Sequence, residues 1–109
     1  MKQTLKFDIE LDENNLPLNI EMHASDGEAN EKNIKALMLS AWAAKTKETL
    51  RIDLWTKDMP VNEMLVMHHQ TMMGMAATLD RATGYDKLAE ALRDYCEFFA
   101  EQTKIKETK

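Results

Sequence analysis

Two adjacent histidines lie in a stretch rich in methionine, V-M-H-H-Q-T-M-M-G-M, within residues 61–75. Imidazole nitrogens and thioether sulfurs are ligands that proteins use for copper, and a Cu(I) site needs two or three of them directed at one volume. On a helix, His68 and Met72 share one face whereas His69 and Met73 share another, because residues four apart are neighbours. Since the ligands are spread around the helix, a small copper- or metal-handling protein is only the alternative functional hypothesis.

The same stretch has an ordinary structural interpretation, which we prefer. Met64, Met72 and Met75 fall on one side of a helix, and flexible methionine side chains often fill irregular space in a core. We expect these three to point inward and His68 to be partly buried and hydrogen-bonded to a neighbour. Gly74, which costs about 1 kcal/mol relative to alanine in a helix, predicts the close approach of another helix.

Other residues with chemical potential give no sign of an enzyme. Asp8, Glu10 and Glu21 could form a carboxylate cluster on the exposed sheet face, although a solvated strand face explains them more simply. A well-formed pocket containing Asp8, Glu21 and His23 would instead support an enzyme that uses such a cluster. Cys96 lies on the apolar stripe of a predicted helix, which indicates a buried and inert thiol. The chain has no phosphate-binding loop, dinucleotide fingerprint, zinc-protease motif or nucleophile elbow. We therefore predict no enzymatic activity, no cofactor and no metal site.

Length and charge limit the classes of partner. The chain has 109 residues, which fits one domain, and its formal net charge is -5. A negative chain is unsuited to phosphate neutralisation, so we predict no nucleic-acid partner. A modest core at this length makes a homo-oligomer a possible state. We expect a single domain over residues 1–103 and a frayed tail over 104–109.

The distribution of apolar residues predicts a protein that is not inserted into a membrane. The first residues alternate between polar and apolar types, and no later segment approaches ~18 continuous apolar residues. The single cysteine excludes an internal disulfide. Both observations favour a cytoplasmic location.

Hydrophobic periodicity predicts three strands and three helices. Period-two alternation predicts strands, of which the first two form a hairpin, and spacing of three and four residues predicts helices. The expected strands cover about 4–11, 18–23 and 50–55, and the expected helices cover about 31–46, 60–81 and 85–103. The predicted fold is therefore α+β in the order β-β-α-β-α-α, with a three-stranded antiparallel sheet of order 2-1-3 covered on one face by three helices.

The segment D-L-W-T-K-D-M-P, residues 53–60, carries the clearest candidate for an interaction site. Trp55 has the same strand parity as Arg51 and Asp53, so its side chain belongs to the polar face or its rim. Tryptophan on a polar surface is frequently a partner contact. The other interpretation, in which Trp55 ends the strand and packs under a helix terminus, remains open.

Several motifs together resemble the gliding motility-associated protein GldC family of Bacteroidota. They are D-E-N-N-L-P (12–17), E-T-L-R-I-D-L-W-T-K-D-M-P-V-N-E-M (48–64), H-Q-T (69–71) and R-A-T (81–83). The resemblance implies a small accessory protein of the gliding machinery, with protein partners among its components and without known catalytic residues. It also makes a partner-binding role for Trp55, Lys57 and Asp58 more attractive.

Overall fold

The computed structural model describes residues 1–27 and 30–105, which form five strands followed by two helices. The chain divides into two compact units, Met1–Met59 with all the strands and Pro60–Lys109 with both helices. The strands are β1 (Leu5–Leu11), β2 (Pro17–Ala24), β3 (Glu31–Ile34), β4 (Ala36–Ala43) and β5 (Glu48–Trp55), and the helices are α1 (Val61–Thr83) and α2 (Asp86–Thr103). The predicted α+β class is confirmed, but the element order is different.

The first two strands form the predicted antiparallel hairpin. Its register places Phe7 opposite Met22 and Asp8 opposite Glu21, so apolar and charged side chains occupy opposite faces of the pair. The turn that joins the strands contains Asn15 at φ 63°, a left-handed conformation that asparagine tolerates better than most residues.

A row of three isoleucines crosses the sheet of β1, β2 and β3. Ile20 of the central strand lies opposite Ile9 of β1 and opposite Ile34 of β3. Its side chain is completely buried, at 0% exposed, whereas Ile9 at the sheet edge is 38% exposed. Ile20 is therefore a central packing residue of the strand unit.

The predicted helix over residues 31–46 is wrong, because this segment forms β3 and β4. β4 pairs along its whole length with β5, from Ala36 opposite Trp55 to Ala43 opposite Glu48. The four-residue turn between them contains Lys47 at φ 58°, and the Lys47 amide donates to the Ala43 carbonyl at 2.8 Å. The segment therefore satisfies its backbone groups by pairing with the next strand.

This change also corrects the predicted sheet. The strand order 2-1-3 is wrong, since the first sheet has the order β1-β2-β3 and the second contains only β4 and β5. All the strand pairs are antiparallel. A crossover helix between the second and third predicted strands does not exist among the described residues, and two helices replace the expected three. The predicted antiparallel, three-stranded character of one sheet is confirmed.

The helical unit is a hairpin of α1 and α2. α1 is followed by Gly84 as its C-cap, whose φ of 72° is left-handed and whose amide donates to the Asp80 carbonyl at 2.8 Å. The aromatic ring of His69 stacks near that of Phe99, with centroids 6.3 Å apart, and Asp80 lies 3.8 Å from Arg93. A residue early in α1 thus meets a residue late in α2, and a residue late in α1 meets the first half of α2, as an antiparallel pair requires.

The fully buried residues of the helical unit are small. They are Ala76, Ala89, Cys96 and Ala100. The prediction that Met75 points inward is wrong, because this side chain is exposed. The expected close approach at Gly74 is also wrong, since a Cβ added there would meet nothing within 4 Å. Gly74 instead lines an open groove of about 600 Å³, together with Thr71, Met75 and Leu92.

Part of the predicted tail is ordered. Lys104 adopts a left-handed conformation at the end of α2, with φ 59°, and Ile105 is 5% exposed. Residues 106–109 lie outside the described residues, so the expectation that they fray stays a prediction.

Candidate interaction surface

Trp55 is the last residue of β5 and lies on the polar face of the β4–β5 hairpin. It shares that face with Arg51 and Asp53, because alternate strand residues point to the same side. Its side chain is 58% exposed. The parity argument made from the sequence is therefore confirmed, and Trp55 is available at the surface rather than enclosed in a core.

Thr56, the residue after Trp55, holds the end of β5 in place through hydrogen bonds. Thr56 is completely buried, and its amide donates to the Lys35 carbonyl at 2.8 Å. The Thr56 hydroxyl lies 3.1 Å from the same carbonyl oxygen. The Met59 amide then donates to the Thr56 carbonyl at 3.1 Å, which closes a turn. Backbone hydrogen bonds therefore position the segment that displays Trp55.

Lys57 connects this segment to the turn between β1 and β2. Its Nζ lies 2.9 Å from Asp12 Oδ2, and its amide donates to the Pro17 carbonyl at 3.3 Å. Asp12 Oδ1 accepts hydrogen bonds from the amides of Asn14 and Leu16 at 2.8 and 3.0 Å. The motifs D-E-N-N-L-P and I-D-L-W-T-K-D-M, which lie far apart in sequence, thus meet in the strand unit.

Asp58 forms a second ion pair within the strand unit. Its Oδ2 lies 3.2 Å from Lys35 Nζ. Hydrogen bonding with the Thr56 hydroxyl, followed by that with Lys35, lowers the pKa of the Asp58 carboxyl. The single hydroxyl proton of Thr56 can serve either Asp58 or the Lys35 carbonyl at one time. Lys57 and Asp58 are therefore both engaged in contacts that hold the segment in place.

We expect replacement of Asp12 by asparagine to reduce the acid sensitivity of the strand unit. The Lys57 hydrogen bond and the Leu16 amide lower the pKa of Asp12 in the folded state. A depressed carboxyl pKa contributes stability that is present above the unfolded pKa, about 3.9, and is lost as pH falls through the folded pKa. Urea unfolding between pH 6 and pH 2.5, followed by tryptophan fluorescence, measures this dependence.

Glu13→Gln is the matched control for this experiment, because the neighbouring Glu13 is exposed. The free energy of unfolding of Asp12→Asn should change less below about pH 4 than that of the wild type, whereas Glu13→Gln should follow the wild type. Identical pH profiles for the wild type and Asp12→Asn would contradict the assigned role of Asp12.

The opposite face of the β4–β5 hairpin is apolar. Leu39 lies directly opposite Ile52, and Ala41 lies opposite Leu50, so these side chains form one continuous patch. Leu39, Leu50 and Ile52 are all exposed, Ile52 at 49%. In an antiparallel hairpin, the apolar face is normally covered by other parts of the protein. This exposed patch is therefore a candidate contact surface.

The contribution of β4 to this surface was not predicted from the sequence. The polar face contains a fork in which Arg51 Nη2 lies 2.7 Å from Asp53 Oδ1 and Arg51 Nη1 donates to Ser40 Oγ at 3.0 Å. Trp42 lies on the same face and is exposed. Because residues 31–46 were predicted to form a helix, Ser40 and Trp42 were not expected on this strand face. The alternation of Leu50, Ile52 and Leu54 indicated a strand, which needs a neighbouring strand to pair with.

The two adjacent histidines make different contacts within the helical unit. His68 Nδ1 lies 2.9 Å from the Met64 carbonyl oxygen, which bears out the expected hydrogen bond, but His68 is exposed rather than partly buried. His69 stacks near Phe99. Neither histidine joins a group of three His, Cys, Asp or Glu ligands among the described residues.

A different histidine lies between two carboxylates on the β1–β2 hairpin. Asp8 and Glu21 are directly opposite each other, and His23 follows two residues after Glu21 on the same face. His23 Nε2 lies 3.3 Å from Asp8 Oδ2 and 3.3 Å from Glu21 Oε1. Asp8, Glu21 and Asn19 also line a surface cleft of about 300 Å³. The carboxylate cluster predicted from the strand pattern was Asp8, Glu10 and Glu21, whereas the structure brings Asp8 and Glu21 together with His23.

Cys96 is a free and completely buried thiol of α2. Burial raises the pKa of the Cys96 thiol, because an apolar environment disfavours the thiolate. The reactive form of the residue is therefore suppressed, and the expected buried cysteine is confirmed.

Comparison with protein families gives a match over residues 17–105 to the model described as gliding motility-associated protein GldC-like. The chain belongs to this GldC-like family. The matched region of this GldC-like chain runs from the start of β2 to two residues beyond α2 and includes Trp55, Lys57 and Asp58. Comparisons with curated proteins and with solved structures gave no match. The resemblance to the GldC family is therefore confirmed, whereas the assignment to Bacteroidota stays a prediction.

The two helices of this GldC-like protein lack the features of a membrane span. Across residues 1–27 and 30–105, neither helix combines the length and the apolar character that crossing a bilayer requires.

Proposed function

We propose that this GldC-like protein is an accessory component of a gliding motility machinery and acts by binding other proteins rather than by catalysing a reaction. Family membership supports the link to motility. The surface of the β4–β5 hairpin supports the binding role, because it combines exposed apolar side chains with tryptophan.

The observation that carries this proposal is the exposed apolar patch of Leu39, Leu50 and Ile52. Contiguous exposed apolar surface is uncommon on monomeric proteins and marks interaction sites when it is large. A two-stranded hairpin is also marginally stable by itself. A partner that covers this patch would remove apolar area from water and would support the hairpin.

The free edge of β5 favours a partner that binds as an extended strand, because β5 pairs only with β4 among the described residues. Its other edge can accept an added strand, whose backbone would pair with the free amide and carbonyl groups. Side chains of an added strand alternate between the two faces. They would therefore reach both Ile52 on the apolar face and Trp55 on the opposite face.

Within this proposal, Trp55 makes direct contact with the partner. Tryptophan is enriched among residues that dominate binding energy, because it offers a large and rigid apolar surface. Lys57 and Asp58 act in partner binding by holding the end of β5, through their ion pairs with Asp12 and Lys35.

We expect disruption of the gene in the source bacterium to impair surface spreading. Complementation with the wild-type gene should restore spreading, whereas a Leu39→Lys, Ile52→Glu double variant should fail. The double variant disrupts the apolar patch by placing charges at two of its exposed residues, and it keeps an opposite-charge pair across the two strands so that the hairpin remains supported. Colony spreading and single-cell gliding measure the effect.

The double variant must accumulate to the wild-type level for this comparison, which immunoblotting measures. Normal spreading of the disrupted strain would overturn the motility role. Full restoration of spreading by the double variant would overturn the role of the apolar patch while leaving the link to motility intact.

A further inference from the structure

We propose that Asp8, Glu21 and His23 form a binding site for a divalent zinc ion on the polar face of the β1–β2 hairpin. The three side chains supply one imidazole nitrogen and two carboxylate oxygens, a donor set that zinc accepts. The site lies on different strands from the proposed partner surface, so it stands independently of the proposed function.

The strand pairing holds the three ligands together. Asp8 is directly opposite Glu21, and His23 is opposite Lys6, one step along the same face. The ligand atoms all lie within 4.8 Å of one another. Two carboxylates placed directly across a strand pair repel each other. A cation between them offsets this repulsion, and the register of the hairpin presents the ligands without requiring a flexible loop.

The two distances from His23 to the carboxylates agree with the dimensions of a zinc centre. Zinc–nitrogen and zinc–oxygen bonds of about 2.0–2.2 Å at tetrahedral angles separate neighbouring ligand atoms by roughly 3.4 Å. His23 Nε2 lies 3.3 Å from an oxygen of Asp8 and 3.3 Å from an oxygen of Glu21. A zinc ion can therefore bind between His23 and the two carboxylates with modest movement of the side chains.

The surrounding groups leave the required atoms accessible. Lys6 Nζ lies 3.6 Å from Asp8 Oδ1, whereas His23 approaches the other oxygen, Oδ2. The three ligand side chains are between 38% and 51% exposed, so an ion can enter from solvent. With three protein ligands, a tetrahedral ion retains one position for water.

The imidazole distinguishes this site from an ordinary acidic surface. Magnesium and calcium prefer oxygen ligands in larger numbers, whereas imidazole nitrogen favours zinc and neighbouring transition metals. We therefore expect the site to bind zinc and to discriminate against magnesium. A cluster that merely attracts cations by charge would show no such preference.

Isothermal titration of the full chain with zinc chloride, in a metal-free buffer at pH 7.5, tests this proposal. We expect one zinc ion per chain with a Kd in the micromolar range or tighter, and no magnesium binding at the same concentrations. His23→Gln and Asp8→Asn should each weaken zinc binding by about tenfold or more. The matched control, His68→Gln, removes an exposed histidine of α1 and should leave the Kd unchanged.

Three outcomes would overturn the site. They are absence of zinc binding at 100-fold excess, an unchanged Kd in both His23→Gln and Asp8→Asn, and equal weakening by His68→Gln. Circular dichroism of each variant verifies that it is folded. A heteronuclear NMR spectrum gives a second readout, because zinc should shift the His23 imidazole signals of the wild type and leave those of His68 in place.

Discussion

Replacing Ile20 with alanine should lower the free energy of unfolding of the strand unit by about 2–5 kcal/mol. Ile20 is completely buried at the centre of the three-stranded sheet. The substitution removes apolar contact and leaves a cavity that the neighbouring strands can only partly close. Small domains are stable by about 5–15 kcal/mol, so the loss is a large fraction of the total.

Ile9→Ala is the matched control, because Ile9 is the direct cross-strand partner of Ile20 yet is 38% exposed. It should cost clearly less than Ile20→Ala. Urea titration followed by tryptophan fluorescence is suited to both variants, since both tryptophans, Trp42 and Trp55, belong to the strand unit. Equal losses for the two variants would contradict a special packing role for Ile20.

Replacing Trp55 with alanine should weaken binding to the partner protein by about 30-fold or more, while the fold remains intact. Truncation of a dominant interface residue costs 2 kcal/mol or more, and each 1.4 kcal/mol is a factor of ten in Kd. The side chain is 58% exposed, so its removal takes little from the folded chain itself. Affinity capture with mass spectrometry identifies the partner, and titration with the purified partner gives the Kd.

Trp42→Ala provides the control for this measurement. Trp42 is also exposed and lies on the same face, but it belongs to β4 and is remote from the free edge of β5. It should change the Kd by less than about threefold. A large fall in the thermal midpoint of Trp55→Ala, or equal weakening by both substitutions, would contradict a direct and specific contact at Trp55.

The parts of the fold that the sequence predicts well are those with one clear periodicity. Residues 5–11 and 17–24 alternate between apolar and polar types, and both strands form the expected hairpin. The helices over 61–83 and 86–103 follow a stripe of period three to four, and their predicted boundaries are close to those observed. In these segments, local pattern and final structure agree.

The failure over residues 31–46 has a physical cause. The sequence A-L-M-L-S-A-W-A of β4 has seven apolar residues out of eight, so it fits the three- and four-residue spacing of a helix and a fully apolar strand equally well. Alanine, leucine and methionine also favour helices intrinsically. The pairing with β5 outweighs this preference, because it satisfies the backbone of both strands at once.

The candidate site was predictable only in part. Strand parity placed Trp55 on the polar face correctly, since parity is a local property. The contact between Lys57 and Asp12 joins residues 45 positions apart, and no local spacing indicates it. Each of the two motifs that contain these residues can be recognised in the sequence by itself. The contact between them exists only in the folded strand unit.

The burial of Cys96 makes its reactivity a measure of local opening in the helical unit. The thiol is the only one in the chain, and it is both enclosed and held in its unreactive form. An aromatic disulfide reagent can attack it only after α2 opens locally, so the labelling rate reports the frequency of that opening. The stability of α2 against local opening can therefore be followed in the unmodified protein, without introducing a probe.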